Sequence, residues 1–218
     1  MQKQDIIAKT ITYVKELLQG EGSGHDWWHI YRVWKNALHI ASKEEGANLF
    51  IVELAALLHD IGDHKFHNGD ESVGPRMVRA WLEKQGVEES IIQQVCLIVS
   101  DLSFKGAGTS SAMETLEGRI VQDADRLDAI GAIGIARAFA YGGHKGRELY
   151  NPEVSPEQHD SFEAYKSSAG PTINHFHEKL LLLKERMHTP SAIAMAETRH
   201  LYMEAFLNQF YAEWEGIR

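Results

Sequence analysis

Apolar positions recur every three to four residues along most of the chain, the period of a helix with one buried face. Ile6, Ile7, Ile11, Val14, Leu17 and Leu18 form the first such series, and Gly20 closes it as a helix C-terminal signal. A second helix is predicted to open at Asp26, a good N-cap, and to carry Val33, Ala37, Leu38 and Ile40. The third runs from Ile51 to Asp60 and stops at Gly62. Its continuous apolar character marks a helix buried on nearly all sides. Further helices are predicted at 70–85, 88–102, 114–128 and 130–141, punctuated by Gly86 and the glycine- and serine-rich stretch 106–111. The stretch 142–160 has no period and reads as a loop over one end. Two long helices, near 160–187 and 191–215, close the chain on either side of Thr189-Pro190. No strand alternates convincingly and no segment repeats. The expectation is an all-α protein of about nine helices.

Length changes the picture little. At 218 residues the chain is expected to form a single domain, 1–218, with the C-terminal helices 160–215 packed on a core spanning 20–150. A homodimer contact through those last helices is equally open. Such a length buries roughly 70% of the unfolded surface, so folding needs no disulfide or metal staple.

Charge excludes more. With 22 basic and 31 acidic residues the net charge is −9, which argues against a binder of nucleic-acid polymers. A small anionic ligand stays possible, because a local cationic or metal site can hold one against the global field. The single cysteine, Cys96, forbids an intrachain disulfide and fits a reducing compartment. It follows Val95 in an apolar helix and reads as a buried thiol. The N-terminus lacks the features of a signal peptide, and no apolar run reaches membrane-spanning length. The expectation is a cytoplasmic protein with no membrane association.

The twelve histidines matter by placement. His59-Asp60 ends the most apolar helix. Adjacent helical residues point about 100° apart, so both can reach one ion only near the helix end, where the chain turns away. A buried carboxylate needs a cation or several donors, and a metal supplies that. His25 and His29 lie four apart in the first turn of the second helix, on one face. Asp123, Asp125 and Asp128 lie within one apolar helix; the first two, two apart, take roughly opposite faces, so one of them can see an ion. Asp128 shares a face with Asp125 and either binds substrate, holds a neighbouring donor, or is a salt-bridged or solvated acid. Asp63, four past His59, aims back toward the same pole, or else pairs with Lys65. His25 either touches substrate phosphate or is a surface histidine.

His29 in HDWWHIYRV, His59-Asp60 in LLHDIGDHKFH and Asp125 in QDADRLDAIGAIGIAR together resemble the HD-domain phosphohydrolase superfamily, most closely a subgroup of small bacterial members. The resemblance implies a single-domain helical bundle with one divalent metal on His29, His59, Asp60 and Asp125. It also makes Asp63 the leading general base. The subgroup implies a manganese-dependent pyrophosphohydrolase that converts nucleoside triphosphates to monophosphate and pyrophosphate. Two imidazoles and two carboxylates suit Mn, Fe, Co, Ni or Zn, with Mg also open, rather than Ca.

No histidine falls between residues 68 and 143, and His64 and His67 come too soon after the doublet for the second-metal pattern of other members, so the site is expected to be mononuclear. Lys65, Arg32, Lys105 and Arg126 are candidate phosphate contacts, because phosphoryl transfer needs cations around the transferring group. His144 is a candidate in a loop that could fold over a ligand. Trp27, Trp28 and Trp34 invite a base-stacking reading, but aromatics at helical spacing are read as core. Two other functions compete with the pyrophosphohydrolase: a 5′-nucleotidase or related phosphomonoesterase, and a non-enzymatic nucleotide-sensing module. The presence of all four expected ligands weighs against the last.

Overall fold

The computed structural model describes residues 2–20, 26–62, 72–103, 113–157 and 170–217. Among them every regular element is helical: α1 Lys3–Leu17, α2 Trp27–Ala41, α3 Leu49–Leu58, α4 Val73–Lys84, α5 Glu89–Ser103, α6 Leu116–Asp128, α7 Gly131–His144, α8 Asn174–Glu178, a 3-10 helix Leu180–Arg186, and α9 Pro190–Trp214. The protein is all-α. The chain forms two compact units, 1–124 and 125–218, and the division falls inside α6.

In the first unit α3 is the hub. Eight of its ten residues are buried, from Phe50 to Leu58. It packs against α1, α2 and α5, while α4 packs on α5. Its apolar run leaves no polar face to turn outward, so the helix can sit only among others. Asp26 caps α2 by accepting from the His29 backbone N–H at 3.0 Å. At the end of α4, Gly86 takes a φ of +69°, and the Val87 N–H reaches back to the Leu82 carbonyl at 3.1 Å. That is the left-handed closure expected of a C-terminal glycine.

In the second unit α7 packs against α9, and the 3-10 helix against α8 and α9. Phe139, Phe176, Phe206 and Phe210 interlock with ring centroids 5.9–6.4 Å apart. Thr189 and Pro190 start α9 where the sequence places a helix boundary.

Three expectations need correction here. The long helix near 160–187 does not run through its described part: Pro171 has no N–H to continue a helical ladder. Instead the Thr172 and Ile173 N–H groups bond to the Glu148 and Leu149 carbonyls at 2.9 and 3.0 Å, and only the short α8 and the 3-10 turn follow. The expected loop from 142 begins later. Helix α7 continues through His144, so that histidine is an exposed helix-terminal residue, not a loop tip. Cys96 is half-buried rather than buried, with its thiol 3.5 Å from the Pro75 carbonyl and its pKa pushed up by burial. Among the described residues no helix is long and apolar enough to cross a membrane.

Candidate metal centre

Helix α3 ends at Leu58, and His59, Asp60, Ile61 and Gly62 form the turn that follows. The turn is what allows neighbouring side chains to converge. The His59 and Asp60 side chains meet at one point, with Nε2 3.5 Å from Oδ2. His29, fixed in the first turn of α2 by its capped backbone, brings a third donor. Its Nε2 lies 3.4 Å from Asp60 Oδ2 and 3.3 Å from His59 Nε2. Both imidazoles are buried, and the Asp60 side chain is 18% exposed.

The protonation of His59 follows from its other nitrogen. Nδ1 lies 2.9 Å from the Ala56 carbonyl oxygen. A carbonyl only accepts, so Nδ1 donates to it, and in the neutral imidazole Nε2 then presents its lone pair to the centre. Carbonyl-anchored imidazoles of this kind are the usual form of metal-ligating histidine. Two nitrogens and a carboxylate oxygen at 3.3–3.5 Å from one another make a lone-pair-rich triangle. Ligand atoms about 2.0–2.2 Å from one ion sit about 3.0–3.5 Å apart, so the spacing fits a cation at the middle.

Asp125 joins the same histidines. One ligand atom each from His29, His59 and Asp125 lie within 4.8 Å of one another, a group that could hold a metal ion. Asp125 is carried by α6, one residue past Ala124. The Asn36 side-chain amide of α2 donates to the Ala124 carbonyl at 3.4 Å. Asn36 lies seven residues after His29 on the same face of α2, so one helix carries both a candidate ligand and a tie to the helix bearing another. Asn36 and the Ala56 carbonyl were not foreseen. The i, i+7 spacing from His29 was the available signal for the first, and a backbone oxygen leaves none in the sequence.

The remaining candidates sort as follows. Asp123 is fully buried. Asp128 is 1% exposed and paired with Arg137 at 2.6 Å, the salt-bridged alternative of those left open. Arg126 donates to the Arg186 carbonyl and lies 3.0 Å from His188 Nε2. Arg32 is half-buried on α2. His25, Asp63, Lys65 and Lys105, with His64 and His67, lie outside the described residues.

The tryptophans divide. Trp27 lies under the Lys15 ammonium, 4.8 Å from its ring, and Trp34 donates to Glu53 at 3.3 Å. Burial pushes the Glu53 carboxyl upward, and the Trp34 bond opposes this. Trp28, expected in the core, is 60% exposed.

One histidine converging on a His-Asp doublet, with a later aspartate near the same two imidazoles, is a donor set suited to a divalent metal, and comparison with known proteins gives the family. The HD domain matches residues 27–130. YpgQ of Bacillus subtilis, itself uncharacterised, is 42% identical over 207 residues, covering 94% of this chain and 92% of that protein. An HD-superfamily hydrolase from Bacillus thuringiensis superposes with a TM-score of 0.79 at 46% identity, over 99% of this chain and all of the other. The crystal structure of B. subtilis YpgQ in complex with ADP matches with a TM-score of 0.78 at 35% structure-aligned identity, over 100% of this chain and 99% of that one. The chain belongs to the HD-domain hydrolase superfamily, a family of metal-dependent phosphohydrolases.

Proposed function

We propose that the protein is a nucleoside triphosphate pyrophosphohydrolase, releasing pyrophosphate and a nucleoside monophosphate, with one divalent ion, manganese first among the candidates, on His29, His59, Asp60 and Asp125. The observation that carries the reading is the convergence of His29 Nε2, His59 Nε2 and Asp60 Oδ2 within 3.5 Å, with His59 held in its metal-ligating tautomer by Ala56. The nucleotide comes from likeness: a relative aligned over the whole chain has been crystallised with ADP. Such an ion polarises phosphoryl oxygens and lowers the pKa of bound water.

The chain's own residues supply the rest. Asp63 takes the proton of the attacking water, and Lys65 and Arg32 hold the anionic oxygens that gain charge as the phosphorus–oxygen bond breaks. Water adds to the α-phosphorus, pyrophosphate leaves, and the water's proton passes to Asp63.

The test is release of phosphate and pyrophosphate from nucleoside mono-, di- and triphosphates, with Mn, Mg, Co, Ni or no added metal. The expected result is metal-dependent pyrophosphate release from triphosphates, lost in His59→Ala. Orthophosphate from monophosphates would make it a 5′-nucleotidase instead. Asp63→Asn is expected to retain metal and lose turnover; loss of the metal would make Asp63 a ligand and remove its role as base.

A further inference from the structure

Helix α2 carries more than a ligand. At about 100° per residue, Arg32 lies about 60° around the helix from His29 and about 40° from Trp28. Metal-centre histidine, cation and indole therefore follow one another around a single turn and a half. Trp28 is 60% exposed and forms a T-shaped pair with Tyr31, itself at the surface, with ring centroids 5.9 Å apart at 80°. The other two tryptophans of this segment have packing duties: Trp27 sits under Lys15 and Trp34 bonds to Glu53. An indole left facing water forgoes burial worth a few kcal/mol, and here it does so one residue from a candidate metal ligand.

We propose that Trp28, braced by its T-shaped contact with Tyr31, is the stacking surface for the nucleobase of a nucleotide whose phosphates lie at the His29–His59–Asp60 centre. This rests on the nucleotide reading above and makes Trp28 a specificity-determining residue. Stacking is tolerant of base identity, because every base offers a π-face, so the site recognises nucleotides as a class and discriminates weakly between bases. Arg32, between the two, is placed for the phosphates nearest the sugar.

The test compares ADP with pyrophosphate, which differ by the adenosine, in calorimetric binding to the manganese-loaded protein. Trp28→Ala is expected to weaken ADP by about 10-fold or more and Trp28→Phe to restore most of it. Pyrophosphate is expected to stay within about 2-fold in both variants. Unchanged ADP affinity in Trp28→Ala, equal losses for ADP and pyrophosphate, or wild-type protein that binds ADP no better than pyrophosphate would each overturn the assignment while leaving the hydrolase intact. ADP binding that depends on Trp28, without hydrolysis of any triphosphate, would instead sink the pyrophosphohydrolase reading and keep the stacking site.

Discussion

The turn bearing His59 and Asp60 ends in a backbone contact that one methyl group should break. A Cβ added to Gly62 would sit 2.5 Å from the Gly74 Cα, 2.7 Å from its N and 3.1 Å from the Val73 carbonyl carbon. Non-bonded carbons rest at about 3.5 Å or more, so Gly62→Ala must drive the two stretches apart by about 1 Å. All three atoms are backbone, and no rotamer change relieves them. Overpacking of this kind costs about 3 kcal/mol, the upper end of its range, which for a chain of this size lowers Tm by about 6–12 °C. The reciprocal change is mild. A Cβ on Gly74 meets Gly62 O at 3.5 Å and Val99 Cγ1 at 3.7 Å, ordinary contacts. Gly74→Ala also gains helix propensity in α4, so it should melt at or slightly above wild type. Because Gly62 is two residues from Asp60, the displacement reaches the ligand turn, and a 1 Å misplacement costs about 100-fold in turnover. Calorimetric melts of the two variants, read beside their hydrolysis rates, check this. Gly62→Ala melting within 2 °C of wild type, or Gly74→Ala falling as far, would refute the reasoning.

Three further outcomes follow. Arg137→Ala removes the 2.6 Å partner of the buried Asp128 carboxylate, while Arg199 still acts on it, and should cost about 1–3 kcal/mol, visible as a lowered urea midpoint, whereas Arg137→Ala with Asp128→Asn should recover part of it. Burial, aided by Lys179 and Arg147, pushes the His175 imidazole down to about 3. The folded protein keeps it neutral while the unfolded chain takes up a proton below about 6.5, so stability falls as pH drops from 6.5 toward 3, by up to about 1.4 kcal/mol per unit. A Tm-against-pH profile should be flatter over that window in His175→Asn. Asp60→Asn should abolish manganese uptake, measured by elemental analysis after dialysis, because it removes a ligand charge; retained stoichiometry would exclude Asp60 as a ligand.

The first half of the chain was legible because its signals are local. The Asp26 cap, the unbroken apolar run of α3 and the glycine after α4 each act on their own neighbours, and all three sit where expected. The His59–Asp60 argument asked for a helix end, because two adjacent residues cannot share an ion from within a regular helix, and α3 does stop at Leu58, just before them. The failures had physical causes too. Apolar spacing carried an imagined helix through Pro171, although the missing N–H should have outweighed the period. Periodicity grouped Trp27, Trp28 and Trp34 as core, yet at about 100° per residue Trp28 lies about 100° from Trp27 and about 120° from Trp34. The Arg137 partner of Asp128 lies nine residues on, in the next helix, a pairing that no local pattern announces.

The electrostatics of the centre bear on binding as much as on reaction. The chain carries a net charge of −9, and the candidate site adds the carboxylates of Asp60 and Asp125 to two imidazoles, one of them held in its Nδ1–H tautomer with the Nε2 lone pair directed inward. A triphosphate approaching that arrangement meets like charge. Salt screens the distant surface beyond about 8 Å, so the local balance decides. Two carboxylates sum to −2, and a divalent ion among them brings the sum to zero before Arg32 is counted. Site occupancy and phosphate affinity are then one quantity rather than two. The proposed stacking surface at Trp28 would escape this coupling, since an indole face attracts a base whatever the charge beside it. On the proposed reading an acidic chain can hold a polyanion: charge reversal confined to a few ångströms would fix the phosphates, and an uncharged aromatic one residue away would fix the other end.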